Sequence, residues 1–168
     1  MQTIYEVRDD AYLITTDISK LDVNIIHQYL SEESYWAHGI PKHVVEKSIE
    51  NSLCFGLFYN KNQIGFARLI TDKATFAYLA DVFILKTYRG KGLSKWLMKT
   101  IQSHPELQHL RRWLLTTKDA HSLYKQLGWQ KPSPDYAYRF MMIHNPDVYK
   151  KSENKEDGKS KEKGTSNK

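Results

Sequence analysis

The sequence predicts an α+β (mixed α/β) fold in which helices flank a central, mostly antiparallel β-sheet. Three strand-like runs, at 53–59, 63–71 and 75–85, are joined by short turns and indicate an antiparallel meander. Two helical patterns precede the meander, and its last run leads through a glycine-containing turn into an amphipathic helix. Strands grouped between helices in this way are typical of one sheet with helices packed on it.

The segment before the meander predicts one strand and two helices. The run YLITT at 12–16 is rich in β-branched and aromatic residues, as strands are. Apolar residues at helical spacing predict a first helix over about 21–30, and Pro41 suits the first turn of a second helix that ends near Ser52. Two helices therefore separate the first strand from the meander.

The third run of the meander, TFAYLADVFIL at 75–85, is almost continuously apolar. Such runs are typical of strands covered on both faces, so we place this strand at the centre of the sheet. Asp81 interrupts the run. An unpaired carboxylate would be costly there, so we expect Asp81 to have a partner or to carry a proton.

The remaining elements alternate between helix and strand. A helix is predicted over about 92–103, and a strand over RRWLLTT at 111–117. A short helix at 119–127 follows, and the run YAYRFMMIH at 136–144 predicts the final strand. The predicted order is strand, two helices, three strands, helix, strand, helix, strand.

Length and composition indicate one domain with a polar tail. A chain of 168 residues with 40% hydrophobic content can bury one core of ordinary size, so residues 1–149 are interpreted as a single domain. Residues 150–168 contain seven lysines, four acids and no aromatic or aliphatic side chain. Such a segment cannot offset the entropy of ordering it, so we predict a disordered tail.

Charge and targeting features indicate which partners and which compartment to expect. Half of the net charge of +6 lies in the tail, so we expect no nucleic-acid partner, although the pI near 9.2 and the pair Arg111 and Arg112 keep a nucleic-acid binder as an alternative. The apolar run at 78–85 is far shorter than the roughly 20 residues of a membrane span. The N-terminus is acidic where a secretory signal is basic, so we expect a cytoplasmic protein.

The cysteine and histidine pattern predicts neither a metal site nor a thiol nucleophile. The single cysteine, Cys54, sits in the middle of a predicted apolar strand and is interpreted as a buried free thiol. The seven histidines show no metal-ligand spacing with it. We therefore expect no metal, and a catalytic Cys–His pair is the weaker alternative.

The turn RGKG at 89–92 is the strongest chemical signal, because it stands between an apolar strand and an amphipathic helix. A helix N-terminus offers unpaired N–H groups, and glycines let the backbone approach an anion, which predicts a pyrophosphate site. The spacing fits neither a Walker loop nor a dinucleotide-binding fingerprint. Two glycines alone would equally suit a tight strand-to-helix turn.

Residues 89–94, RGKGLS, resemble motif A of the GNAT family of N-acetyltransferases, written [QR]-x-x-G-x-[GA], with Ser94 in place of the usual glycine or alanine. A second family motif, [FY]-Y-x-x-x-G-[FY] at the end of a short helix, resembles LYKQLGW at 123–129, where Leu123 replaces an aromatic residue. Both motifs occur in the family's order. The chain is therefore similar to this family, and to a bacterial subgroup of it, over about 12–144.

The resemblance implies acetyl-CoA as the cofactor and a splayed sheet. The strand at 75–85 would expose backbone groups to the pantetheine arm, and the N–H near Ile84 would stabilise the oxyanion formed from the thioester carbonyl. The family motifs and this strand imply the following cofactor-binding residues: Phe83, Ile84, Arg89, Gly90, Lys91, Gly92, Leu93 and Ser94.

The resemblance also suggests catalytic residues. Tyr124 matches the family's tyrosine that faces the cofactor sulfur, which implies a proton donor to the leaving thiolate; the alternative is a packing aromatic. The attacking amine must lose a proton, and Asp81 is the candidate general base. Its alternative role is a hydrogen-bond acceptor that ties the central strand to a neighbour.

Tyr35 and Trp36, between the first two helices, are the candidate acceptor-binding residues. They could cage an organic cation or form a hydrophobic plug between the helices. The resemblance implies acetyl transfer to a primary amine of a small molecule or peptide, by direct attack in a ternary complex. A longer acyl group and a non-catalytic acyl-CoA sensor are the alternatives, and a homodimer is possible because dimers are common in the family.

Overall fold

The structure, a computed structural model, describes residues 3–150. One sheet contains β1 (Glu6–Asp9), β2 (Tyr12–Thr15), β3 (Leu53–Tyr59), β4 (Asn62–Thr71), β5 (Phe76–Ile84) and β6 (Arg112–Leu115). The helices are α1 (Val23–Gln28), α2 (Lys42–Glu50), α3 (Leu93–Gln102), α4 (His121–Lys125) and α5 (Pro134–Ala137).

The strands follow one another across the sheet in chain order. Every neighbouring pair is antiparallel except β5 and β6, which are parallel. Helix α3 makes the connection between these two parallel strands, as a parallel crossover requires. The predicted fold class, a mostly antiparallel sheet flanked by helices, is confirmed.

The core consists of two apolar clusters, one on each face of the sheet. In β3, Cys54 belongs to one cluster, whereas Phe55 and Leu57 belong to the other, because successive side chains of a strand alternate between its faces. α3 packs in the cluster of Phe55 through residues such as Leu97, while α1 and α2 pack in the cluster of Cys54. The sheet is therefore covered on both faces, as the apolar run of β5 indicated, but the predicted position of this strand at the centre of the sheet is wrong, because β5 is the fifth of six strands.

A β-bulge in β5 sets the geometry of the site. Phe66 pairs with Phe83 and Arg68 pairs with Ala80, so β5 contains one more residue than β4 in this interval. Asp81 lies in the bulge with a φ of 54°, a left-handed conformation that aspartate adopts more readily than most residues. The extra residue turns the carboxylate of Asp81 towards Arg68 on the same face of the sheet.

The predicted final strand at 136–144 is wrong. Pro134 starts α5, the short helix that ends at Ala137, and the residues after it form no regular element up to 144. Proline fixes φ near the helical value and suits a first helical turn, whereas a strand needs a partner strand for its backbone groups. Composition alone therefore did not make this run a strand.

The N-terminal strand and the two ends of the described chain differ from the predicted elements or lie beyond them. β1 was not predicted, and it forms because the turn at Asp10 folds its polar residues back along β2. The predicted disordered tail lies outside the described residues, apart from Lys150. Within residues 3–150, no helix has the length and apolar composition needed to cross a membrane.

Candidate active site

The edge of β5 that faces β6 is open along its second half. β5 pairs with β6 only at 76–79, opposite 112–115, and from there to Ile84 it is paired with β4 on its other edge alone. The N–H of Leu85 donates to the carbonyl of Ile64 in β4 at 2.8 Å. Because successive N–H groups along an extended strand alternate in direction, the N–H of Ile84 points away from β4 and towards the open edge.

The glycine turn lies directly beside this open edge. Gly90 and Gly92 both have φ of 78°, a conformation that favours glycine over any residue with a Cβ. Gly92 immediately precedes α3, and no side chain caps the first turn of that helix. The first N–H groups of α3 are therefore available to an anion. Lys91 lies apart from them, with its Nζ 5.4 Å from the ring centre of Tyr88.

Arg89 holds the turn in place with its side chain. Its Nε donates to the carbonyl of Ile84 at 2.9 Å, and its Nη2 donates to the hydroxyl of Tyr29, also at 2.9 Å. The ring of Tyr29 in turn stacks on Phe83, with ring centres 3.9 Å apart. The guanidinium group therefore ties the glycine turn to β5 and to the helical turn that follows α1.

These elements enclose a cavity of about 460 Å³. Seven of the eight predicted cofactor-binding residues line it, and Lys91 does not. They are Phe83, Ile84, Arg89, Gly90, Gly92, Leu93 and Ser94. The cavity thus combines an open strand edge, an uncapped helix N-terminus and small residues, which suits an elongated ligand with a phosphate group.

Tyr124, on α4, also lines this cavity. The side chain is 9% exposed, and burial, with smaller effects from Tyr35 and Asp119, raises the pKa of Tyr124 to about 12. Its ring lies edge-on to Trp129 at 5.9 Å. The hydroxyl therefore keeps its proton at neutral pH and can act as a donor, not as a base.

Asp81 is held by two donors. Arg68 Nε donates to Oδ2 at 2.7 Å, and Trp36 Nε1 donates to Oδ1 at 3.0 Å. The Asp81 and Arg68 side chains are 10% and 15% exposed, and Arg68 also donates to Ser52 Oγ at 3.1 Å. The hydrogen-bond role considered for Asp81 is therefore present, and its general-base role stays a prediction.

Tyr35 and Trp36 stand at the mouth of the cavity. Their rings meet edge to face at 5.0 Å, and they are 51% and 42% exposed. The Tyr35 hydroxyl accepts a hydrogen bond from the N–H of Lys118 at 2.9 Å. Such exposure contradicts the hydrophobic plug, because a plug between helices would be buried.

A second cavity of about 250 Å³ continues from the first. Tyr35, Trp36 and Tyr124 line both cavities, and Asp81 lines the second. The structure therefore brings all of the predicted catalytic and acceptor-binding residues to the junction of two spaces. One space follows the glycine turn, and the other leads along β5 towards Tyr78.

The sequence analysis missed Arg68, Tyr29 and Lys118, which support this site. Arg68 had a detectable signal, since it is a cation inside the apolar run of β4 and faces the only acid of β5. Tyr29 and Lys118 gave no local signal. Each meets its partner across a separation of at least 60 residues, which periodicity cannot show.

Cys54 and the acidic and imidazole side chains suggest no further chemistry. Burial raises the pKa of the Cys54 thiol to about 12, so it is protonated at neutral pH and is a poor nucleophile. Across residues 3–150, no group of three His, Cys, Asp or Glu side chains is arranged to hold a metal ion.

Comparison with known proteins decides the family. The sequence model of the acetyltransferase (GNAT) family matches residues 23–129, which contain β3 to β6, the glycine turn and Tyr124. The chain belongs to the acetyltransferase (GNAT) family. The two motifs that resembled this family are thus part of a match over most of the domain.

Two relatives extend this match. A candidate acetyltransferase of Gibberella zeae is 34% identical over 141 residues, covering 70% of this chain and 78% of the relative. The 1.40 Å crystal structure of a candidate GNAT acetyltransferase from Xanthomonas campestris is 43% identical, with a TM-score of 0.78. That match covers 89% of this chain and 98% of the relative.

A more distant GNAT structure shares the fold alone. The GNAT acetyltransferase of Elizabethkingia anophelis, whose crystal structure contains acetyl-CoA, is 12% identical with a TM-score of 0.57. The match covers 82% of this chain and 92% of the relative. Mixed sheets of this kind therefore persist in the GNAT family when little sequence identity is left.

Proposed function

We propose that the protein is an acetyl-CoA-dependent N-acetyltransferase that acetylates a primary amine of a small molecule or peptide by direct attack in a ternary complex. One observation carries the proposal: the open edge of β5, the glycine turn and Tyr124 line the same cavity. Family membership supports acyl transfer, and the acetyl-CoA in the Elizabethkingia relative supports the choice of acyl donor.

The cofactor would lie along β5 and the glycine turn. The uncapped N–H groups at the start of α3 suit its pyrophosphate, and the open edge of β5 offers hydrogen bonds to its pantetheine arm. Bound acetyl-CoA supplies an acetyl group activated as a thioester. The outward N–H of Ile84 is suited to polarising the carbonyl of that thioester.

Two side chains would handle protons. With a pKa of about 12, Tyr124 keeps its hydroxyl proton at neutral pH and can give it to the departing sulfur. Asp81 lines the second cavity and is the candidate acceptor of a proton from the amine, directly or through water. Its ion pair with Arg68 keeps the carboxylate in one position for that transfer.

The acceptor amine would enter through the second cavity. Tyr35 and Trp36 present exposed ring surface at its mouth, which attracts an organic cation. The nearby Lys118, whose Nζ lies 5.7 Å from the ring centre of Tyr35, is already bound to that ring. A cationic acceptor would therefore compete with Lys118 or use the indole ring of Trp36.

The experiment measures CoA release from acetyl-CoA with a mixed panel of amino acids, polyamines, other amines and peptides. Tyr124→Phe should lower turnover by about 100-fold or more and leave acetyl-CoA binding unchanged, because general acids contribute on this scale. Tyr138→Phe removes the hydroxyl of a tyrosine outside the cavity and is the matched control. Equal turnover by both variants would contradict the role of Tyr124.

A non-catalytic acyl-CoA sensor is the second candidate, and one observation favours it. Both oxygens of Asp81 already accept hydrogen bonds, so the predicted base is not free. A sensor would bind acetyl-CoA and leave the thioester intact with every amine. Longer acyl-CoA donors in the same assay would reveal a transferase with a different acyl preference.

A further inference from the structure

The second cavity contains an acid that the proposed transfer does not use. Asp119 stands two residues before α4 and lines both cavities, so it lies at their junction. An aspartate near a helix start often caps the helix, but α4 has no side-chain cap, and the N–H of Ala120 donates to Thr117 Oγ1 at 3.0 Å. Within residues 3–150, the carboxylate of Asp119 makes no hydrogen bond and no ion pair.

The carboxylate of Asp119 lies near the hydroxyl of Tyr124. Burial raises the pKa of Tyr124 most, and the charges of Tyr35 and Asp119 raise it further, which requires these groups to be close to one another. Tyr124 also lines both cavities. The free negative charge therefore stands beside the place where the proposed acceptor amine would meet the acetyl group.

The charged side chains that line the second cavity do not balance one another. They are Arg68, Asp81 and Asp119. Arg68 and Asp81 form an ion pair, with Nε and Oδ2 2.7 Å apart, so their charges cancel. The neighbouring Lys118 is exposed and does not line this cavity. Asp119 therefore leaves the lining with one uncompensated negative charge.

Aromatic rings in the same lining suit an ammonium group. Tyr35, Trp36, Tyr78 and Tyr124 all line the second cavity. An ammonium group of the chain already uses one of these rings, because Nζ of Lys118 lies 5.7 Å from the ring centre of Tyr35. An acceptor that carries its own ammonium group could take the place of this exposed lysine side chain.

We propose that the second cavity selects a small aliphatic diamine as the acceptor, with the ammonium group that does not react paired to Asp119. This acceptor class rests on the proposed transfer reaction. In that transfer a C–N bond forms to the acetyl carbon and the C–S bond breaks, while the amine loses one proton and the CoA sulfur gains one. The attacking amine is neutral, so a bound diamine keeps one positive charge, which matches the one uncompensated carboxylate.

Other classes of amine leave a charge unpaired at the junction of the cavities. A neutral monoamine displaces water from the carboxylate of Asp119 without supplying a partner, which is unfavourable. An amino acid brings its own carboxylate to a lining that is already negative, and like charges repel. The cavity volume of about 250 Å³ also suits a slender aliphatic chain better than a drug-sized molecule.

Calorimetry of the full chain with saturating CoA tests the acceptor class, because CoA carries no acetyl group and no transfer can occur. Three amines with the same butane chain are compared: the terminal diamine, butylamine and the terminal amino acid. The diamine should bind about 5-fold tighter than butylamine, which is the scale of a partly exposed ion pair, and the amino acid should bind most weakly. The net charge of +6 on the chain works against a dication, so nonspecific attraction cannot produce this order.

Two matched variants assign the preference to Asp119. Asp119→Asn should bring the diamine and butylamine to similar affinity. Asp9→Asn removes the same charge from an exposed residue of β1, at the opposite edge of the sheet from β6, and should keep the preference for the diamine. Thermal melts check that both variants fold.

The outcomes separate the acceptor class from the transfer reaction. Equal affinity for the three amines, no binding of the diamine, or a preference that survives Asp119→Asn would overturn the proposal. CoA release from acetyl-CoA is then measured with the same three amines. The predicted order of affinity without any CoA release would contradict the transfer reaction and leave the selectivity of the cavity for a diamine standing.

Discussion

At the scale of single residues, Tyr124 shows how burial prepares a side chain for one role. The hydroxyl group lies in a largely desolvated position, and the negative form of Tyr124 is disfavoured there. A phenol that keeps its proton at neutral pH can serve as a general acid but not as a general base. The same residue as a base would require a positive neighbour that lowers its pKa, and its named electrostatic neighbours, Tyr35 and Asp119, act in the opposite direction.

Tyr124 should also make stability depend on pH in alkaline solution. Its pKa is about 12 in the folded chain and about 10 in an unfolded one, so above pH 10 the unfolded state loses a proton that the folded state keeps. Between pH 10 and 11, the unfolding free energy should fall by about 1 kcal/mol more than that of Tyr124→Phe. Denaturant titrations at both pH values measure this difference, and parallel losses would contradict the burial of the hydroxyl.

The ion pair of Asp81 and Arg68 should stabilise the fold. Asp81→Asn leaves the Arg68 cation poorly exposed and without a charge partner, which should cost about 3 kcal/mol of unfolding free energy. Glu106→Gln breaks the more exposed pair with Lys73, 2.8 Å apart, and should cost no more than about 1 kcal/mol. Urea denaturation compares the two variants. Equal costs would mean that the pair at Asp81 is only a surface contact.

At the scale of elements, the glycine turn requires glycine because of its backbone conformation and not because a side chain would collide with neighbouring atoms. A Cβ at Gly92 would meet no atom within 4 Å, but φ of 78° is strained for any other residue. Gly92→Ala should therefore cost about 1–2 kcal/mol of stability and also weaken acetyl-CoA binding. Binding should weaken because the substitution shifts the first N–H groups of α3, which are the groups that would contact the ligand.

Gly39 offers a matched control for this prediction. It has φ of 76° and equally open surroundings, and it lines neither cavity of the site. Gly39→Ala should show a similar loss in thermal unfolding and unchanged acetyl-CoA binding by calorimetry. If both variants bind equally well, the turn at 89–92 does not hold the cofactor.

The elements that could be predicted are those whose signals are local. The meander, α3 and the glycine turn each follow from patterns within about 15 residues, and the structure contains all of them. The bulge at Asp81 could not be predicted, because it depends on the register of β5 against β4. The strand at 136–144 was predicted from composition, but a strand also needs an edge to pair with.

The residues of the candidate site also divide into those with local sequence signals and those that only the folded chain brings together. Residues on the glycine turn could be assigned from one motif, because strand, turn and helix are consecutive in the sequence. The hydrogen bonds of Asp81 to Trp36 and Arg68 cross 45 and 13 residues, so only the folded chain reveals them. Sequence patterns thus predicted the wall of the candidate site formed by the glycine turn better than the wall that contains Asp81 and Trp36.

At the scale of the whole molecule, the two apolar clusters hold the helices against the sheet whose residues line both cavities. α3 packs through Met98, which is completely buried, whereas Met141 is almost fully exposed. Met98→Ala should cost about 2–5 kcal/mol of unfolding free energy, and Met141→Ala should cost almost nothing in dilute solution. Thermal and urea unfolding of the two variants measure this contrast. A small effect at Met98 would mean that α3 is not part of the core.

We propose that the two cavities together carry out the transfer of an acetyl group from acetyl-CoA to an amine. The most direct measurement is mass spectrometry of a mixed amine and peptide panel after incubation with the full chain and acetyl-CoA. One class of amine should gain an acetyl group, and Tyr124→Phe should reduce this gain while Tyr138→Phe should not. Bound acetyl-CoA with an intact thioester and no acetylated amine would contradict it.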